Sequence, residues 1–273
     1  MKVNQRNKTI LLLVISVTFL TVVAIAGIFL KESAMVTDFS RKNLAPCLKY
    51  PFGTDWLGRD MFKRTITGLS MSILIGVLAA GVSAVIAFIL GTMAATLGKK
   101  VDSAISFIID TIMGIPLILL IILISYAAGK GLKGVIIGVA LTHWTSLARL
   151  IRGEVMQLKE SEYIQIAEKL GHSKWKIAMK HMVPHLLPQF IVGLVLMFPH
   201  AILHEASITF LGFGLSVEQP AIGIILSESM KYMITGKWWL ALFPGLMLVL
   251  TVVLFEMAGT SLRKLLDPSS AHK

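Results

Sequence analysis

Apolar residues run at membrane-crossing length in six places along the chain, and polar residues gather between them. The runs fall at residues 9–30, 70–97, 104–128, 134–150, 186–204 and 238–262. A helix needs roughly 20 apolar residues to cross about 30 Å of hydrocarbon. A strand in lipid would leave backbone N–H and C=O groups unsatisfied, so every run is expected to be helical. The pattern predicts an all-α membrane protein with six transmembrane helices. The first run is longer than the roughly 7–15 apolar residues of a secretory signal. Its small triplet Ala24-Ile25-Ala26 lies inside the run, so a retained anchor is expected rather than a cleaved leader. In the second run Ala87, Gly91 and Ala95 recur every four residues, a small-residue face suited to close helix packing.

The polar segments carry the information. Residues 31–65 contain Pro46, Pro51 and the string Gly53-Thr54-Asp55-Trp56-Leu57-Gly58-Arg59-Asp60. Two glycines flanking carboxylates and a guanidinium predict a tight, ion-paired turn. Residues 152–188 predict two short helices. The first carries Ile164, Ala167 and Leu170 at three-residue steps and is capped by Gly171. The second, basic and carrying Trp175, Ile177 and Met179, is expected to end where Pro184 and Pro188 turn the chain back toward the membrane. Such a two-helix knob suits docking into a protein groove, and equally suits lying on acidic headgroups.

Charge sets orientation. With both termini inside, fifteen of the 26 Lys and Arg lie on the cytoplasmic side, from Lys2 through the knob to Lys273, and eleven lie outside. The chain is therefore expected to be a multi-pass protein of the cell membrane with cytoplasmic termini. Hydrophobic residues make up 55% of it, well above a soluble domain. The net charge of +11 sits at span ends and in loops rather than along an aromatic-laced stripe, which argues against nucleic acid. One cysteine, Cys47, supports neither an internal disulfide nor a thiolate metal site, and leaves its redox compartment open. His204-Glu205 opens an H-E-x-x-H pattern, but Ile208 stands where the second ligand belongs, which excludes that metalloprotease. Asp110 with Pro116 raises a proton-relay transporter, and a non-transporting membrane scaffold is a third reading.

The string Glu162-Tyr163-Ile164-Gln165-Ile166-Ala167, then Gly171, then Pro184, resembles the EAA loop of ABC importer permeases. The closing letters depart from that motif, since His181-Met182-Val183-Pro184 stands where Ile-x-Leu-Pro is usual. Residues 53–60, and likewise Phe210-Leu211-Gly212-Phe213-Gly214, resemble the C-type permease subunit of the peptide/nickel importer family. The resemblance implies an anchor helix and extracytoplasmic loop over residues 1–65, followed by a permease core over 66–273. It implies that Glu162, Tyr163, Ala167, Gly171 and Pro184 couple to ATPases, and that Gly53, Thr54, Asp55, Gly58, Arg59 and Asp60 form the family's signature loop. The implied partners are a homologous permease, two ATPase subunits that use ATP and Mg²⁺, an extracytoplasmic binding protein, and membrane lipid. The chain has no G-x-x-x-x-G-K-[ST] phosphate loop and binds no cofactor of its own on this reading, so it is not itself an enzyme.

For the cargo, His200 and His204 lie one turn apart with Met197 a turn earlier, and His143 sits within the fourth run. Imidazole suits Ni²⁺. The surrounding strings resemble nickel-type permeases more than dipeptide-type ones, so nickel or a metal chelate is expected, with dipeptides or oligopeptides as the alternative. Hydrogen bonding between helices would equally account for the histidines.

Overall fold

Capping groups and prolines set the helix limits in the computed structural model, which describes residues 5–266. Lys2 and Lys273, used in the orientation count, lie outside the described residues, and only the backbone of Lys174 and Trp175 is described. Helix α1 (Gln5–Met35) extends the first run at both ends. Helix α2 (Met61–Thr96) begins well before the apolar run at residue 70, because the Asp60 carboxylate accepts from the backbone N–H of Phe62 at 3.0 Å and Lys63 at 3.3 Å. Those donors have no partner within the helix, so the cap fixes its start. The added turns bury the polar residues Arg64, Thr65 and Thr67, which hides them from a reading based on apolarity.

The third predicted span is broken. Helices α3 (Lys99–Gly114) and α4 (Leu117–Ala127) meet at a bend of 101°. Ile115 is extended, at φ −93° and ψ 138°, as the residue before a proline prefers, and Pro116 offers no N–H to continue the ladder. The 11 residues of α4 reach only about 17 Å, short of a bilayer crossing. Among the described residues five helices are thus long and apolar enough to cross, and a sixth crossing is made only if the bent pair counts as one. Helix α5 (Gly131–Lys159) follows, packed antiparallel on α4, with Gly134 against the Ser125 carbonyl and Gly138 against that of Ile121.

The knob consists of α6 (Glu162–Lys169) and the single turn α7 (Lys174–Ile177). The chain does not turn back at Pro184 and Pro188. A π turn at residues 178–182 joins α7 directly to α8 (Val183–Phe210), making one continuous helical path. Pro184 falls in the first turn of α8, and the π turn re-registers the backbone ahead of it. Helix α9 (Ile222–Met233), only 12 residues long, was not expected from the run lengths, and α10 (Trp239–Leu266) ends the described chain.

Small residues hold the bundle. Ala87, Gly91 and Ala95 face α5, where a Cβ on Gly91 would lie 2.6 Å from the Ala148 carbonyl oxygen. Ser83 donates to the Ala140 carbonyl at 2.6 Å, and Ser70 to that of Ala24 at 2.6 Å, tying α2 to α5 and to α1. At one end of the bundle Lys159 reaches the Ala95 carbonyl at 2.9 Å, so the ends of α2 and α5 meet beside the knob. At the other end the loop before α2 meets α9 and the start of α10, where Phe52 stacks on Phe243 at 4.9 Å.

Candidate functional site

The loop at residues 53–60 is built around one carboxylate. Asp55 Oδ1 accepts from the backbone N–H of Leu57 and Arg59, both at 2.9 Å, while Oδ2 accepts from Arg59 Nε at 2.6 Å and Arg64 Nη1 at 2.5 Å. Arg64 Nη2 in turn donates to Glu228 of α9 at 2.9 Å. Two guanidiniums and two carboxylates therefore share one buried site, with Trp56 lying 5.1 Å from Arg59 and 5.8 Å from Arg64. Trp56 also stacks on Tyr232 at 5.4 Å. Thr54 accepts from Leu44 N at 2.9 Å and donates to the Arg41 carbonyl, closing the preceding turn. Gly53 and Gly58 are left-handed, at φ 73° and 75°, and a Cβ on Gly58 would run into the Asp38 carbonyl. Asp60 caps α2. Arg64 and Glu228 were not singled out from sequence; the only signal was the presence of charged residues beside apolar runs.

The knob has a covered side and an open side. Ile164 and Ala167 are buried in the same apolar cluster as Val155, Leu158, Ile177, Met182 and Leu186. Leu170, placed by its spacing on that face, is instead exposed, because the helix has ended and the chain has left the face. With it Tyr163, Ile166 and Met179 present apolar surface outward, and Glu162 is exposed at the first turn. Gly171 sits at φ 79°. Its N–H reaches the Glu168 carbonyl at 3.0 Å and that of His172 reaches Ala167 at 3.2 Å, a left-handed helix cap. Pro184 lies beyond the π turn at the head of α8.

The histidines meet at a cavity of about 640 Å³. One wall is the α3–α4 corner from Ile112 to Leu117, and the others carry Thr142, His143, Thr145, Met197, His200 and His204. The His143 and His204 rings pack edge to face at 5.0 Å. His143 donates from Nδ1 to the Val139 carbonyl at 3.0 Å, within its own helix, which leaves Nε2 buried and without a partner. His200 Nε2 stands 4.0 Å from Glu256 of α10. Among the described residues no three His, Cys, Asp or Glu groups converge as a metal cluster. Asp110, weighed as a proton relay, is exposed and pairs with Arg149 at 2.7 Å, while Arg152 holds Asp102 through two bonds of 2.5 and 2.7 Å. These two pairs pin α3 to α5 and so fix the corner that walls the cavity. Glu205, next to His204, turns away into the bundle, where it accepts from Thr209 at 3.0 Å.

Residues 87–272 match the family described as binding-protein-dependent transport system inner membrane component. The chain is 33% identical over 97% of its length to the dipeptide transport system permease protein DppC of Bacillus subtilis (strain 168), covering 83% of that protein. It is 33% identical over 94% of its length to the oligopeptide transport system permease protein OppC of the same organism, covering 84% of it. It is 31% identical over 86% of its length to the probable D,D-dipeptide transport system permease protein DdpC of Escherichia coli (strain K12), covering 79% of it. Among solved structures, a chain of the MetNI methionine ABC transporter in inward-facing conformations shares the fold, with a TM-score of 0.63 and 17% identity over 76% of this chain and 98% of that one.

Proposed function

We propose that this chain, which belongs to the family of binding-protein-dependent transport system inner membrane components, is the permease subunit of an importer for dipeptides or oligopeptides. That it is an integral membrane permease without its own ATPase site follows from the family and the apolar helices. The cargo class rests on one observation: dipeptide and oligopeptide permeases are among the relatives that match across nearly the whole chain. This favours the peptide alternative over the nickel expectation raised by the histidine strings. The cavity supports the same reading, since about 640 Å³ is within the roughly 300–1,000 Å³ of sites that hold small organic ligands. Its lining is apolar and neutral-polar apart from imidazole, so it offers a peptide contact without a charge that would trap it.

In this reading the chain forms half of the pathway with a homologous permease, and the knob stands in the cytoplasm with both termini. Tyr163, Ile166, Leu170 and Met179 give the knob an apolar outer face, which suits a groove on an ATPase subunit. Glu162, Ala167, Gly171 and Pro184 shape that lever: Ala167 seats it, Gly171 turns it, and Pro184 heads the helix it pushes. ATP and Mg²⁺ belong to the two partner ATPases, and an extracytoplasmic binding protein delivers cargo to the opposite end.

The test is uptake by the reconstituted importer of a labelled dipeptide against ⁶³Ni²⁺ supplied alone. ATP-dependent accumulation of the dipeptide, and none of nickel, is expected. Nickel accumulation that the dipeptide does not compete would reverse the assignment in favour of His143, His200 and His204 as transient metal contacts.

A further inference from the structure

A groove of about 350 Å³ runs along the seam between α1 and α2, apart from the cavity that holds the histidines. The two helices touch where Ser70 donates to the Ala24 carbonyl at 2.6 Å, and where Gly27 leaves no room for a Cβ against Ser70. Of the apolar lining beside that contact, Ile73 is buried, whereas Ile28, Leu74 and Val77 stand exposed. Pro220, from the turn ahead of α9, adds a further wall. From Thr67 to Val77 the α2 side extends about 15 Å, half of the roughly 30 Å of hydrocarbon and hence the depth of one leaflet.

Two polar groups of this lining are left unengaged. Lys31, one turn before the end of α1, is exposed and is the one charged residue of the groove among the described residues. It takes part in no ion pair among them, and the adjacent Glu32 lies outside the lining. Thr67 is 4% exposed, and its side-chain oxygen is buried without a hydrogen-bond partner. Thr65, two residues earlier, shows the ordinary outlet for a helical threonine by donating to the Met61 carbonyl at 2.7 Å. Ser70, the other hydroxyl of the lining, is spent on Ala24. A buried hydroxyl with no acceptor is costly, so the geometry at Thr67 calls for an acceptor from outside the chain.

We infer that the groove holds one anionic phospholipid of the leaflet opposite the knob. Its phosphate meets Lys31, an ester oxygen accepts from the Thr67 hydroxyl, and an acyl chain lies against Ile28, Leu74 and Val77. The groove presents these groups in the order that a lipid needs from headgroup to tail, with the ammonium at the helix end, the hydroxyl next and apolar side chains deeper. Lysine can extend its charge toward the headgroups while its stem stays on the apolar wall. A zwitterionic headgroup would bring its own cation toward Lys31, so net negative charge is favoured. A neighbouring apolar helix would cover the side chains but leave both Lys31 and Thr67 without a partner. The inference requires that the chain lie in a membrane, and it is independent of the cargo.

The experiment uses the complete complex purified in mild detergent and titrated with phosphatidylglycerol that carries a photoactivatable group on one acyl chain. Mapping of the cross-linked peptides should find label in residues 24–31 and 67–77. Unlabelled phosphatidylglycerol should compete, and phosphatidylcholine of the same chain length should need about fivefold more. Lys31→Gln should raise the half-saturating amount about fivefold, and Lys31→Arg should keep the wild-type curve. Thr67→Val, nearly the same shape without the donor, should also raise it about fivefold, with the unfolding midpoint of the complex unchanged. No label in the two segments overturns the site. Labelling that either Lys31→Gln or Thr67→Val leaves unchanged, or that phosphatidylcholine competes equally well, overturns it too. A photoreactive residue placed at position 74 that joins another protein subunit instead of lipid assigns the groove to that subunit and overturns the inference.

Discussion

Arg64 and Glu228 stand 164 residues apart in the chain and meet at 2.9 Å, joining the first turn of α2 to α9. Their side chains are only 3% and 14% exposed, and Glu228 supplies the second carboxylate that, with Asp55, balances the buried Arg59 and Arg64. Removing the Glu228 charge leaves two buried guanidiniums on the single carboxylate of Asp55, and Glu228→Gln should therefore cost about 3–5 kcal/mol. Thermal unfolding of the purified complex in detergent reads this directly. Arg64→Met combined with Glu228→Leu should be more stable than Glu228→Gln alone, because Asp55 and Arg59 are then left as a balanced pair. An unchanged unfolding midpoint in Glu228→Gln would show that the pair does not hold the loop to α9.

Gly171 separates conformational strain from collision. No atom lies within 4 Å of a Cβ built there, but φ is 79°. Gly171→Asn should be tolerated, since asparagine adopts left-handed geometry, whereas Gly171→Val should cost about 1–2 kcal/mol in the cap alone. The expected readout is a fall in peptide transported per ATP hydrolysed for the valine variant and not for the asparagine one. A valine variant that assembles and transports at the wild-type rate per ATP would remove Gly171 from the coupling lever.

Gly91 presents the opposite case, in which space and not backbone geometry decides. A side chain there meets the Ala148 carbonyl and Ile151 of α5. Gly91→Ala should cost about 1–3 kcal/mol by overpacking, and Gly91→Leu should prevent assembly. Yield of folded complex by size exclusion distinguishes the two, and normal yield of the leucine variant would place α2 away from α5.

His200→Ala with His204→Ala enlarges the cavity without removing an ion pair that the fold needs. Dipeptide uptake should fall by about fivefold, the effect of on the order of 1 kcal/mol of lost contact, with assembly intact. Uptake at the wild-type rate would take the two histidines out of the pathway.

Most of the fold was legible because lipid forces each crossing into a long apolar helix, and five such helices stand where the runs were read. What escaped has physical causes. The first turns of α2 are polar and become buried only through Asp55 and Glu228, partners that local sequence cannot supply. Helix α9 is too short to register as a crossing. Pro116 and Pro184 look alike in sequence, yet one breaks a helix and the other heads one, and the difference lies in the backbone around them. At the site, the turn around Asp55 and the cap at Gly171 are local and were readable, and the spacing of His200 and His204 put them on one face. Their meeting with His143 and the α3–α4 corner depends on how α5 and α8 pack.

The corner at Pro116 has one more implication. A wall made of bent backbone and aliphatic side chains presents the same face to cargo whatever side chains that cargo carries. On the importer reading proposed above, a conduit of this kind is a poor judge of what passes, and discrimination would fall to whatever component loads it rather than to this wall.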